Sequence, residues 1–368
     1  MHRPCSIAVG GGLAGAAFAL ELARHGERVL VLERSRQPGP MVCGEFLSGE
    51  AQDLLAYLGL DLNAMGATGI SRLRLAAGSR FAEAPLPFRG AGLSRQRLDE
   101  ALLLAAARAG AEVLRGVTVN GIDVSGQRVV VSAGTQRYMA DAVAIATGKH
   151  ALRQFPRPPS DMVGFKLQLR LTPSARRVLD GVVQLVAFED GYLGACIVED
   201  GLAPVCWVMR RRLLKRVGPG WAAQSAYLAA QSELLAELLH GSAPVWERPA
   251  AVAQIPYGFL RRQSISPVIF PIGDQLAVIP SMTGDGMAIA LSTGIRAAQA
   301  VLRGMAADAF QRRMISSLRG QFRLAGAVQL IFATTALHGV GLSVARALPG
   351  LVTTIVRSTR LAATALPP

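Results

Sequence analysis

Residues 7–33 constrain this chain more than any other stretch. Ile7-Ala8-Val9 opens into Gly10-Gly11-Gly12-Leu13-Ala14-Gly15, and Val29-Leu30-Val31-Leu32 follows and ends on Glu33. Strand, glycine turn, helix, strand and acid in this order specify a βαβ unit whose first turn receives the pyrophosphate of a dinucleotide. Gly10 permits the tight turn out of the strand. Gly12 lets the backbone of Gly12-Leu13-Ala14 approach the pyrophosphate, and Gly15 lets the helix pack closely on the strand. The phosphates then lie over a helix N-terminus, where unpaired N–H groups and the helix dipole favour negative charge. Glu33, eighteen residues after Gly15, is placed to bind ribose hydroxyls, with Arg34 beside it. Ala19, Leu22, Gly26 and Val29 supply the helix-packing and second-strand positions.

With 368 residues there is ample interior for a closed cofactor site. A hydrophobic share of 51% and a mean hydropathy of +0.33 are high for a soluble enzyme, and with 5% aromatics the excess is Ala, Leu and Val. The dinucleotide strand starts too early to follow a cleaved signal peptide. Cys5, Cys43, Cys196 and Cys206 form no CxxC pair, and the five histidines show no ligand spacing, which favours a reducing cytoplasm and no metal. The net charge of +14 is carried by scattered arginines without aromatic interleaving, so nucleic acid is not an expected partner. The densest basic run, Arg210-Arg211-Arg212 with Lys215 and Arg216, reads first as a solvated loop before a helix, and second as a contact for an anionic surface.

The dinucleotide-binding domain is expected to be discontinuous, with residues 1–71, 93–155 and 260–305. A helix with Leu98, Leu102, Ala105 and Ala109 on its apolar stripe falls in the second piece. So does Ala142-Val143-Ala144-Ile145-Ala146, a buried parallel strand by composition, closed by Thr147-Gly148. Residues 72–92 and 156–259 form an inserted antiparallel-sheet α+β substrate domain. Its strands fall near 164–171, 182–189, 192–198 and 204–208, with a helix over 222–240 and Glu189-Asp190-Gly191 and Glu199-Asp200-Gly201 as turns. Residues 306–368 form a C-terminal helical region. Residues 324–345 lack Asp, Glu, Lys and Arg, long enough for a span. Gln329, Thr334, Thr335, His338 and the glycines there favour packed helices, or a face resting peripherally on a membrane.

A second motif lies late in the chain. Ile269-Phe270-Pro271-Ile272-Gly273-Asp274 reads as a strand ending in Gly-Asp, and Pro280-Ser281-Met282-Thr283-Gly284-Asp285-Gly286-Met287 leads into a helix. With the GxGxxG…Glu start and Arg95-Gln96-Arg97-Leu98-Asp99, the chain resembles FAD-dependent oxidoreductases of the p-hydroxybenzoate-hydroxylase-like fold. Within that fold it is most similar to the geranylgeranyl reductases and related flavoprotein monooxygenases. The resemblance implies a Rossmann-like α/β domain that binds FAD. It implies that Gly273 and the Asp274 carboxylate meet the ribityl chain. The amides of residues 284–287, after Pro280, would face the flavin ring where negative charge collects on reduction. Arg95 would reach the phosphates or ribityl chain, and Val119 the adenine through its backbone. Thr147 and Gly148 would border the cofactor. Cys43-Gly44-Glu45 resembles the Cys-Gly of the geranylgeranyl reductases. It implies Cys43 near the isoalloxazine or substrate and Gly44 against the ring, although a small buried thiol reads equally well.

The chain has Ala146-Thr147-Gly148-Lys149-His150 where many flavoprotein monooxygenases carry Ala-Asp-Gly, so NAD(P)H is expected as electron donor without the usual motif. The tryptophan motif of flavin-dependent halogenases is not visible, which disfavours halogenation. His150 is a candidate proton donor, and a structural histidine is the plainer reading. Phe165, Gln168, Phe188, Tyr192 and Trp207 are candidate pocket residues, of which strand alternation lets about half face inward. An apolar lining fits a lipophilic substrate: aromatic, polyketide-like, quinone-like or isoprenoid. The first expectation is a monooxygenase that hydroxylates such a compound. The second is a reductase of carbon–carbon double bonds. A redox-neutral FAD cyclase or prenyl-binding protein on the same fold ranks third.

Overall fold

The computed structural model describes residues 6–361 except 126, 127 and 151. Its centre is a five-stranded, wholly parallel sheet. The strands lie in the order Ile269–Pro271, Ala142–Ile145, Ser6–Val9, Val29–Glu33 and Glu112–Arg115. These strands are apolar on both faces because both faces are covered. One face carries helices Leu13–Arg24, Arg95–Arg108 and Gly286–Leu302. The other carries an antiparallel three-stranded sheet, Gly121–Ser125, Arg128–Ala133 and Gln136–Ala140, whose Ile122, Val129 and Val131 pack on Ile7, Val9 and Leu30. Numbered along the chain, the parallel strands run 3-2-1-4-5. The order reverses between Ser6–Val9 and Ala142–Ile145, and a crevice opens beyond their carboxyl ends, at Gly10 and residues 146–148.

A nine-stranded sheet stands over that crevice. Met162–Arg170, Leu202–Arg210, Gly191–Ala195 and Val182–Phe188 pair antiparallel in this spatial order. Thr68–Ala77 then joins Val182–Phe188 in parallel and pairs with Arg80–Gly92. Pro85 and Pro87 are tolerated because Phe46–Leu47 covers only the far end of that strand, at Ala91 and Gly92. One face of the sheet is buried by helices Pro173–Leu179, Arg211–Val217, Trp221–Gln231 and Glu233–Leu239, and the other faces the crevice. The helix expected over 222–240 breaks at Ser232, which is extended (φ −162°, ψ 140°). The basic run is not a loop. Arg211–Val217 is helical, and part of the run's charge is paired at the surface: Arg210 pairs with Asp161 at 2.8 Å, Arg216 with Glu189 at 2.7 Å, and Arg212 with Asp190.

The uncharged stretch 324–345 is divided between Ala307–Ala333 and Thr335–Ala347, which meet at a 113° bend. Among the described residues no single helix is long and apolar enough to cross a membrane. Thr335–Ala347 and the last helix, Pro349–Ser358, lie against the strand Arg80–Gly92 and close the crevice from the side.

Candidate dinucleotide and substrate site

The glycine turn has three different environments. Gly10 has φ +108°, which an L side chain rarely adopts, and a Cβ there would sit 2.5 Å from the Ala146 carbonyl oxygen. A Cβ on Gly15 would lie 1.9 Å from the Gly10 carbonyl oxygen, so the helix rests directly on the turn. Gly12 is different: a Cβ there meets nothing nearer than Arg95 Nη2 at 3.7 Å. Packing therefore demands glycine at 10 and 15, whereas the space over Gly12 is open, as a backbone that cradles a phosphate requires.

Around this turn lies one cavity of about 860 Å³, within the range of ligand sites. Gly10, Gly12, Leu13, Ala14, Glu33, Arg34, Arg95, Val119, Thr147 and Gly148 line it from the early part of the chain. Gly273, Asp274, Gly284, Gly286 and Met287 line it from the late part. Glu33 accepts hydrogen bonds from the Gly11 N–H at 2.6 Å and the Ser35 N–H at 2.7 Å, which hold its carboxylate at the strand end. Arg95 is fixed by two bonds to Asp99, at 2.7 and 2.8 Å, with its side chain aimed toward Gly12. Asp274 pairs with Lys149 at 3.5 Å. Gly284 is left-handed (φ +69°), and a Cβ there would enter the Phe46 ring at 2.8 Å. Gly15 and Pro280 do not line the cavity. Gly15 packs the helix, and the Pro280 carbonyl accepts from Thr283 to shape the turn before residues 284–287.

The Cys43-Gly44-Glu45 loop also lines the cavity and is held unusually firmly. Glu45 adopts φ +58° and is buried with Lys166, its ion-pair partner. Glu45 also accepts from the Arg95 N–H at 2.7 Å, and the Leu93 N–H donates to its carbonyl. Burial pushes the Glu45 carboxyl up, against the pull of Lys166. The pair pins a strained turn whose preceding residues present the Cys43 thiol and Gly44 to the cavity.

Four of the five expected pocket residues do not line the cavity. Phe165 and Trp207 are cross-strand partners stacked at 5.4 Å on the helix-covered face, where Trp207 Nε1 donates to Gln224. Phe188 packs edge-on to Tyr227 on that same face. Gln168 is buried near the strand end beside residues 243–245, away from the cavity. Tyr192 does line it, with Leu73, Leu75, Val183, Leu185 and Val208 from the sheet and Phe332, Val352 and Val356 from the C-terminal helices. Sequence reasoning missed these apolar residues, together with Tyr257 and Ser281.

Within this apolar chamber three hydroxyls meet. Ser281 Oγ bonds both Tyr257 Oη, at 2.6 Å, and Tyr192 Oη. Burial pushes the Tyr192 phenol up to about 12 and that of Tyr257 well above its ordinary value, so both stay protonated at neutral pH. The cluster adjoins residues 282–284, in the turn before the helix Gly286–Leu302. His150 lies instead beside Arg34, with 3.3 Å between its Nε2 and the guanidinium, at the dinucleotide edge of the cavity. Burial and the Arg34, Arg157 and Lys149 charges lower its pKa, which depletes the imidazolium a proton donor would need.

A 3-2-1-4-5 sheet, an open glycine cradle at its switch point, and a late Gly-Asp and helix N-terminus on the same cavity define a p-hydroxybenzoate-hydroxylase-like flavoprotein fold. Residues 9–52 match the NAD(P)-binding Rossmann-like domain. A putative 2-heptyl-3-hydroxy-4(1H)-quinolone synthase of Rhodococcus erythropolis is 30% identical over 165 residues, 40% of this chain and 43% of that protein. Squalene epoxidase 6 of Arabidopsis thaliana is 36% identical over 86 residues, 22% of this chain and 16% of that protein. The chain thus matches less than half the length of these curated relatives. Among solved structures, a flavoprotein/dehydrogenase from Cytophaga hutchinsonii superposes with a TM-score of 0.81 at 17% identity, over 97% of this chain and 93% of that one. The halogenase PltM in complex with phloroglucinol and FAD gives 0.75 at 16% identity, over 96% and 82%.

Proposed function

We propose that this protein is an FAD-dependent monooxygenase that hydroxylates a lipophilic aromatic, polyketide-like or quinone-like small molecule, with NAD(P)H as electron donor. The observation that carries the reading is the continuity of the dinucleotide cradle with an apolar chamber whose polar groups are concentrated in the Tyr192–Tyr257–Ser281 cluster. The residues fit FAD: open space over Gly12, an acid at the ribose position, a second acid at the ribityl position, and a helix N-terminus at 286–287. FAD supplies, once reduced, the hydride or oxygen-activating chemistry that amino acid side chains lack. The protein orients and protects. Residues 285–287 offer amide N–H groups at a helix N-terminus where negative charge would develop. The sheet face and C-terminal helices exclude water. Tyr192 or Tyr257 donates a hydrogen bond to an oxygen of the substrate and fixes which carbon faces the cofactor. The relatives support the reading: one is named for a hydroxylated quinolone and the other for the epoxidation of squalene, both lipophilic compounds.

A second reading, reduction of a carbon–carbon double bond, is favoured by one observation: Cys43 and Gly44 line the cavity. The test is oxygen consumption by purified protein with FAD, NADH or NADPH, and a panel of alkylquinolones and polycyclic phenols. Oxygen uptake matched by product carrying one added oxygen supports the first reading. A saturated product formed equally well without air supports the second and refutes the first.

A further inference from the structure

We infer that the C-terminal helices form a docking face for an anionic lipid bilayer, and that the cavity opens into the lipid through this face. The sequence observation is charge. Asp308 is the last acid of the chain, and the residues after it include seven arginines. The structural observation is exposure. Of the fourteen exposed large hydrophobic side chains among the described residues, seven fall within positions 330–351. Leu330 (64% exposed) and Leu348 (56%) stand outside the cavity. Ile331, Leu337, Val340, Val344 and Leu351 are exposed and also line it, so the mouth lies among them.

An apolar patch of this density on a protein surface marks an interaction site. What covers it is chosen by its charge. Exposed Arg323, Arg346 and Arg357 lie on the three helices, and the Arg80 guanidinium reaches toward Gly339. Glu83, on the strand beneath, already pairs with Arg72 and Arg74. Arginines around an apolar face on helices that carry no acid after Asp308 match a bilayer bearing anionic headgroups: apolar side chains enter the acyl boundary while the guanidinium groups meet phosphate. The 113° bend at Thr334, bridged by His338 Nε2 and the Phe332 carbonyl at 2.8 Å, allows two consecutive helices to share one apolar face. The further step, that a lipophilic substrate enters from the bilayer, rests on the function proposed above. The docking does not.

The test is sedimentation of the full chain with vesicles of pure phosphatidylcholine and with vesicles containing one third phosphatidylglycerol. The wild-type protein is expected to pellet with the anionic vesicles and much less with the neutral ones. The variant Leu330→Glu/Leu348→Glu removes two apolar contacts and is expected to partition about 30- to 100-fold more weakly on anionic vesicles. Arg346→Gln/Arg357→Gln is expected to lose about 10- to 30-fold on anionic vesicles and to leave the weak binding to neutral ones unchanged. All variants should keep the wild-type melting temperature, because the four side chains are exposed. Equal pelleting of wild type and both variants, or no pelleting with anionic vesicles, overturns the inference. So does a stable dimer in solution that the Leu330→Glu/Leu348→Glu variant converts to monomer, since a second copy would then cover the patch. Binding is read by mass in the pellet, so the result is independent of whether FAD chemistry occurs.

Discussion

Substituting Gly12 by alanine separates the needs of the cofactor from those of the fold. Gly12 has φ −71° and ψ −175°, open to any residue, and an added methyl finds only Arg95 Nη2 at 3.7 Å. Two small terms then oppose each other in the cofactor-free protein. Alanine is a poorer N-cap than glycine, which costs about 0.5–1 kcal/mol. It also restricts the unfolded chain, which stabilises by about 0.4–1 kcal/mol. The net change should lie within about 0.5 kcal/mol, or a degree or two in melting temperature. The same methyl would stand where the pyrophosphate approaches the backbone. Losing one or two hydrogen bonds to a charged phosphate, at about 1.5–3 kcal/mol in all, weakens FAD binding about 10- to 100-fold. Gly15→Ala is the control. Its methyl would fall 1.9 Å from the Gly10 carbonyl oxygen, so this variant should lose several degrees before any cofactor is added. Differential scanning calorimetry of stripped protein and quenching of flavin fluorescence on titration measure the two quantities. If Gly12→Ala binds FAD within threefold of wild type, or destabilises the free protein as much as Gly15→Ala, the assignment of the open space to a pyrophosphate is refuted.

Three other outcomes follow from the geometry. Asp285 is fully buried among Ser48, Gln321 and Arg360, and burial raises its pKa to about 6. A raised folded pKa means stability present below pH 4 and lost as pH climbs through 6, so melting curves of wild type minus Asp285→Asn should show a decline of up to about 3 kcal/mol across that window, and none above it. Lys166→Met leaves Glu45 buried without its cation and should cost about 3–5 kcal/mol in urea unfolding, most of which Glu45→Gln/Lys166→Met recovers. Tyr192→Phe removes one member of the hydroxyl cluster. It should raise KM about 3- to 10-fold for substrates bearing an oxygen while leaving FAD affinity unchanged, as steady-state kinetics and flavin titration would show.

The parts of this fold legible in the sequence are those whose backbone geometry admits few residues. Gly10 and Gly15 could be given separate tasks from spacing alone because one needs a positive φ and the other a missing Cβ. The parallel strands were legible because burial on both faces leaves continuous apolar runs. The pocket was hidden for a different reason. Val163 to Leu169 alternate Val, Phe, Leu and Leu with Gly, Lys and Gln, but both faces of the strand are buried, so alternation does not tell which set meets the cavity; Phe165 and Trp207 turn toward the helices. The break at Ser232 is not legible in the sequence because serine is an ordinary helix residue and the apolar spacing continues across it. Tyr257 and Ser281 lie in separate segments, and only the tertiary fold brings them to Tyr192.

Residues early and late in the chain are expected to grip a single dinucleotide. Calorimetric titration of FAD and of ADP into wild type and Asp274→Ala tests this directly. A stoichiometry of one FAD per chain is predicted, with FAD weakened about 10- to 100-fold in the variant and ADP, which lacks the ribityl chain, unchanged. Equal affinity of wild type and variant for FAD, or equal weakening of ADP, would contradict it.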